Sequence, residues 1–158
     1  MLSLFIYAAL APFAASDRDG EIVDFYEAPP SHFGMGSLGP QFGTEPVSVA
    51  ARSLDRILAE ESIACVDILK VDVEGFEAAV FRGAQQLLNG SSPPLVVFEF
   101  CDWAEARSGE PIGTAQRVLT AFGYRIYRCR DFLSRVQRPA PCVITSGFVT
   151  LVAIRDLT

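Results

Sequence analysis

A single α/β domain built on a mainly parallel sheet, with an antiparallel last strand, is what this sequence predicts. Three observations point there. From residue 65 onward, apolar runs and amphipathic segments alternate as strand, helix, strand, helix, strand, loop, strand, the order that gives a parallel sheet with covering helices. Leu95-Val96-Val97-Phe98-Glu99-Phe100 is a near-continuous apolar run entered through Pro93-Pro94, as in a strand buried on both faces. The run Val66-Asp67-Ile68-Leu69-Lys70-Val71-Asp72-Val73-Glu74-Gly75-Phe76-Glu77 carries a lysine and two carboxylates from an apolar stretch to a glycine. Proteins of this class bring acidic groups to the carboxyl edge of the sheet in this way, and ligands bind at that edge.

Taken in order, residues 10–15 suit a short buried strand, and Ser16-Asp17-Arg18-Asp19-Gly20 is a polar turn that ends it. Strand-like residues resume at 21–27, so 10–27 is expected to be a hairpin. Residues 28–46 hold four prolines and four glycines and read as a long loop, a kind of segment that often serves as a functional lid. An extended segment follows at 47–51. Ser53 can cap a short helix over 54–61, with Leu54, Ile57 and Leu58 on one face. Residues 65–73 form the next strand. Phe76, Ala79, Val80, Leu87 and Leu88 recur at helical spacing over 76–89, and Asn89-Gly90 is a stop signal. After the 95–100 strand, Ile112, Ala115, Val118, Leu119 and Phe122 make a second helical stripe closed by Gly123. Strands are expected at 124–129 and 148–154, joined by an arginine- and proline-rich surface loop at 128–141. No helix lies between these two strands, so antiparallel pairing is expected for them. The core is expected within 65–154.

Composition narrows the function. The 158 residues are 50% hydrophobic and 20% charged, which suits one globular domain with a real core. A net charge of -6 without clustered lysine or arginine argues against a nucleic-acid partner, because phosphate binding needs concentrated positive charge. Cys65, Cys101, Cys129 and Cys142 are widely spaced, show neither metal-ligand nor C-x-x-C spacing, and read as free thiols; no metal is expected. Residues 1–15 are uncharged and end in small residues, which raises the possibility of a secretory signal. No basic residue precedes the apolar run, so an internal strand and a cytoplasmic location are the expectation. Elsewhere no segment approaches the ~18 apolar residues that span a bilayer.

Lys70, Asp72 and Glu74 alternate at i, i+2 and i+4, so an unbroken strand would gather all three on one face near its end. Buried charge of this kind needs partners or a ligand. Two readings stand side by side: a Lys70 salt bridge with Glu74 assisting the next helix start, or a ligand site. Glu99 ends an apolar strand and therefore needs a partner. Trp103 follows that strand at the same edge, and His32, the sole histidine, lies in the 28–46 loop. A partly buried aromatic and a solvated loop histidine are the plainer alternatives for these two.

The Asp67-to-Glu77 stretch, continued by Val80-Phe81-Arg82-Gly83-Ala84, resembles the hallmark of the FkbM-type methyltransferases. Upstream, Ala14-Ala15-Ser16-Asp17-Arg18-Asp19-Gly20 with Val23-Asp24-Phe25-Tyr26 resembles that family's strand, turn and strand. Gly36-Ser37-Leu38 and Ser53-Leu54-Asp55 fall where the family has a loop and a short leucine-aspartate segment. Downstream, residues 94–99 resemble the next core strand. The similarity spans roughly residues 10–125. It implies a Rossmann-like methyltransferase sheet with helices on both faces, S-adenosyl-L-methionine as cofactor, and a hydroxyl-bearing small molecule, sugar or lipid as substrate. Asp72 and Glu74 would then be catalytic, one of them taking or orienting the substrate proton. Ser16, Asp17 and Lys70 would lie at the cofactor, although Asp17 equally suits a plain turn. Apart from the resemblance, their places in the chain make Glu99, Trp103 and His32 candidates for bordering the substrate.

The family's glycine-rich cofactor turn and its following acidic residue would precede residue 10, and Met1 to Ala9 contain no glycine. The resemblance therefore implies a partial sheet in a shortened domain, with a methyltransferase remnant or an α/β binding domain as the alternative. In the family's strand order the absent strands lie beside the 65–73 strand. That strand is expected to keep an open edge, with the 10–27 hairpin either repacking onto it or poorly ordered, and with self-association through the edge as a possible outcome.

Overall fold

The computed structural model describes residues 8–134 and 138–156. The first seven residues of the uncharged start, and 135–137 in the 128–141 loop, lie outside the described residues. Two sheets organise the chain. The first has the order β1-β3-β2 and is built from β1 (Ala14–Ala15), β2 (Ile22–Tyr26) and β3 (Pro46–Arg52). The second has the order β4-β5-β7-β6, from β4 (Ile68–Val71), β5 (Leu95–Cys101), β6 (Arg125–Arg128) and β7 (Phe148–Ile154).

The expected hairpin at 10–27 does not form as a direct pair. β1 runs parallel to β3 on one side and β2 antiparallel to it on the other, with Ala14 opposite Ala51 and Val23 opposite Val49. The physical reason lies in β3, whose seven residues have two free edges, whereas the two-residue β1 offers β2 almost no ladder. The first three strands thus form their own sheet. They do not repack onto the edge of β4, which is an edge strand among the described residues.

The second sheet is mixed rather than mainly parallel. β4 and β5 are parallel, but β7 enters between β5 and β6 and runs antiparallel to both. The antiparallel last strand is as expected, and its central position is what turns the sheet mixed. Alternation along β5 buries Val96, Phe98 and Phe100 on one face. There they meet Phe81, Ala84 and Leu88 from α2 (Glu77–Arg82) and α3 (Gln85–Asn89), and Ala115 and Leu119 from α5 (Thr114–Ala121). Phe81 and Phe98 cross edge to face at 5.4 Å. On the other face, α6 (Cys129–Leu133) sets Phe132 against Tyr127, while Ile68 and Phe148 are each 65% exposed.

Local chemistry explains the helices. Ser53 caps α1 (Leu54–Glu60) by accepting the Arg56 N–H, as its position predicts. The single helix expected over 76–89 breaks into α2 and α3 at Gly83, where a Cβ would lie 2.4 Å from the Ser16 carbonyl oxygen. The break frees the start of α3, and Asp55 takes the exposed N–H groups of Gln86 and Leu87 at 2.8 and 3.0 Å. Two short helices are not expected from sequence: α6, which replaces the start of the expected 128–141 loop, and α4 (Asp102–Arg107), which follows β5. Its Glu105 is buried and caps α5 by accepting from Gly113 and Ala115 N–H at 2.6 and 2.9 Å. The four cysteines are free thiols. Among the described residues no helix is long and apolar enough to cross a membrane.

Candidate active site

β4 ends at Val71, whose side chain is buried in the core, and the chain leaves the sheet there. Only Lys70 of the three alternating charges is therefore held by the strand. Asp72 lies just past its end and is ion-paired to Lys70. Glu74 is placed by a turn instead of by strand alternation: it has φ +53°, followed by Gly75 at φ +99°. A left-handed conformation costs a non-glycine residue on the order of 1 kcal/mol, so something must hold it. The Glu74 carbonyl accepts from Ser37 Oγ at 3.1 Å and Gln41 Nε2 at 2.5 Å, both in the 28–46 loop. From the other side, Glu77 Oε1 accepts from the Val73 and Gly75 N–H groups. Gly75 is packed so closely on α4 that a Cβ would lie 2.3 Å from the Ala104 carbonyl oxygen.

Glu99 sits one strand over, on the face of β5 that neighbours Lys70. Burial pushes the Glu74 carboxyl above its ordinary range, and the charges of Asp72 and Glu99 push it further. Burial likewise raises Glu99, with Asp72 adding to the effect and Lys70 opposing it. The hydrogen bond to Asp72 raises the Lys70 ammonium. Three carboxylates and one ammonium thus share a field at the carboxyl ends of β4 and β5. Beside them lies a cavity of about 530 Å³ bounded by the first sheet, the 28–46 loop and the turn after β4, within the size range of small-molecule sites. Ala14, Ala15, Phe25, Leu38, Val49 and Phe76 supply apolar walls, and Asp72 is the one charged residue among the described residues lining it.

The other residues singled out in the sequence lie apart from this cavity. Ser16 and Asp17 line a second cleft of about 420 Å³, which has Leu38 and Phe76 in common with the first. Ser16 is buried and donates to Asp17 Oδ1 at 3.3 Å, while Asp17 stands 3.8 Å from Arg82, itself bonded to Glu110. His32 and Trp103 come together through a residue the sequence did not flag. The His32 ring stacks on Phe42 at 4.3 Å, and Phe42 meets Trp103 edge on at 6.2 Å. Arg107 covers the Trp103 ring and reaches back to the Gln41 carbonyl, tying the 28–46 loop to α4.

Ser37, Gln41 and Glu77 also went unflagged. For Glu77 no separate signal existed, because an acid in the first turn of a helix is an ordinary helix-start residue. The partner of Ser37 is 37 positions away, beyond any local pattern.

A family model described as the methyltransferase FkbM domain matches residues 5–126. No curated protein and no solved structure matches the chain.

Proposed function

Because the chain belongs to the FkbM methyltransferase domain family, we propose that it serves the transfer of a methyl group from S-adenosyl-L-methionine to a hydroxyl oxygen of a small molecule, sugar or lipid. The observation that carries this reading is the convergence of Asp72, Glu74 and Glu99 at the ends of β4 and β5, beside an apolar cavity that Asp72 lines. A Rossmann-like origin of the second sheet belongs to the same reading, supported by the parallel β4–β5 pair and the antiparallel β7.

The lining fits the apolar and cationic parts of that cofactor. Phe25, Leu38 and Phe76 suit a flat base, and Asp72 suits a positive charge. A second carboxylate for ribose hydroxyls is not among the described lining residues. When bound, the cofactor supplies an electrophilic methyl on a sulfonium. The chain's own part is positioning and proton transfer. Lys70 holds Asp72 by their ion pair. Glu74, with its carboxyl raised by burial, is suited to take the substrate hydroxyl proton as the oxygen attacks. Glu99 adds negative charge that favours this uptake. His32, Phe42 and Trp103 form an aromatic wall at the mouth of the loop, suited to an apolar or sugar-ring face of the substrate.

Calorimetric titration with S-adenosylmethionine and S-adenosylhomocysteine tests cofactor binding. With binding in hand, Asp72→Asn and Glu74→Gln should lower transfer more than affinity, and equal losses would refute their role in chemistry. A second reading, a non-catalytic methyltransferase remnant or α/β binding domain, is favoured by the separation of Ser16 and Asp17 from the Asp72 cavity. Absence of binding at millimolar cofactor would leave that reading alone.

A further inference from the structure

Glu77 is the first residue of α2 and only 4% exposed. A carboxylate so buried must find donors. Of the first-turn N–H groups, those of Ala79 and Val80 already reach the Phe76 carbonyl, and the Glu77 carboxylate is drawn by its own backbone N–H. The same carboxylate also turns backward. Its Oε1 accepts from Val73 N–H and Gly75 N–H, each at 3.3 Å. These two amides bracket Glu74 and directly follow Asp72. Facing Glu77 from α4 is Glu105, itself 2% exposed. Both Glu105 oxygens are committed to Gly113 and Ala115, so it offers Glu77 like charge and no bond.

We propose that Glu77 is a positioning residue whose carboxylate, by gripping the Val73 and Gly75 amides, sets the backbone from which Asp72 and Glu74 project. The proposal rests on the methyltransferase reading above. Its consequence is a proton-controlled grip. Burial, reinforced by Glu105, pushes the Glu77 carboxyl up to about 7 against the pull of the amide bonds. Bonds to an ionised acceptor are roughly twice as strong as those to a neutral one. The turn is therefore held tightly above neutrality and loosely below it.

The test follows the Val73 and Gly75 amide resonances of isotope-labelled protein across pH. Both should move with an inflection near pH 7, and the inflection should vanish in Glu77→Gln, which accepts hydrogen bonds but does not titrate. In transfer assays Glu77→Gln, neutral at every pH, should match wild type below pH 7 and fall short of it above, which flattens the pH profile. Glu77→Ala should lose kcat by roughly tenfold or more with a smaller change in KM, since a displaced catalytic group costs rate. Amides that do not titrate, or a Glu77→Ala variant with wild-type kcat, would overturn the proposal. The amide titration needs no cofactor, so a wild-type chain that fails to bind S-adenosylhomocysteine refutes the methyltransferase reading and not this one. Should Glu77→Ala fail to fold, the wild-type titration and the Gln variant still decide.

Discussion

Replacing Gly75 with alanine puts the turn at the end of β4 to a quantitative test. The added methyl carbon would lie 2.3 Å from the Ala104 carbonyl oxygen, 2.4 Å from its carbon and 2.9 Å from the Glu105 nitrogen. All three are backbone atoms, so no side chain can swing aside. The helix cannot yield cheaply either, because Ala104 is fully buried and Glu105 is locked onto the start of α5. The φ of +99° adds a backbone penalty of about 1 kcal/mol for a residue with a Cβ. Overpacking of this sort costs about 1–3 kcal/mol, so the total loss is roughly 2–4 kcal/mol. Gly109→Ala is the internal control: its φ is +84°, yet nothing lies within 4 Å of its Cβ position, so only the backbone penalty of about 1 kcal/mol applies. Urea denaturation of the three proteins reads both losses from midpoints at constant slope. Equal destabilisation by the two alanines would refute the close packing of the turn on α4.

Four further outcomes are expected. The Glu77 carboxyl is raised from 4.5 to about 7, so the fold favours its neutral form and stability falls as pH rises through that window, by at most about 3 kcal/mol. Denaturation across pH should show this slope in wild type and a shallower one in Glu77→Gln. Phe81→Ala removes a fully buried ring packed on Phe98 and should cost about 3–5 kcal/mol in the same assay. Asp55→Ala uncaps α3 and should cost about 1 kcal/mol, with faster amide exchange at Gln86 and Leu87. If the β4 edge mediates self-association, sedimentation should show it rising with concentration, and Ile68→Lys should suppress it by placing a charge on that edge.

Elements with a local signature were legible. Ser53 announced α1 and the apolar 95–100 run announced β5; the antiparallel β7 is expected for want of a helix before it, and it holds although the short α6 lies there. What escaped depended on contacts remote in sequence. The pairing of β1 with β3 joins Ala14 to Ala51, and two alanines carry no pattern that names a partner. The break between α2 and α3 arises because the Ser16 backbone crowds Gly83. In the site, the Lys70–Asp72 pair follows from spacing of two, but Glu74 owes its position to a left-handed turn that Ser37, Gln41 and Glu77 hold. His32 and Trp103 were flagged separately, and only the fold shows Phe42 between them.

The insertion of β7 between β5 and β6 also dictates an order of events during synthesis. Among the described residues β6 has no sheet neighbour except β7, and β5 has β4 on one side and β7 on the other. Until residues 148–154 leave the ribosome, a nascent chain can hold the β4–β5 pair but must keep β6 unpaired and one side of β5 bare. Those waiting edges are apolar, with Phe98 and Ile126 among their residues, and they are the surfaces that chaperones shield in slow, nonlocal β topologies. Completion of the sheet is thus a late, single closing step, and ribosome-stalled chains ending before Phe148 should be protease-sensitive throughout β6.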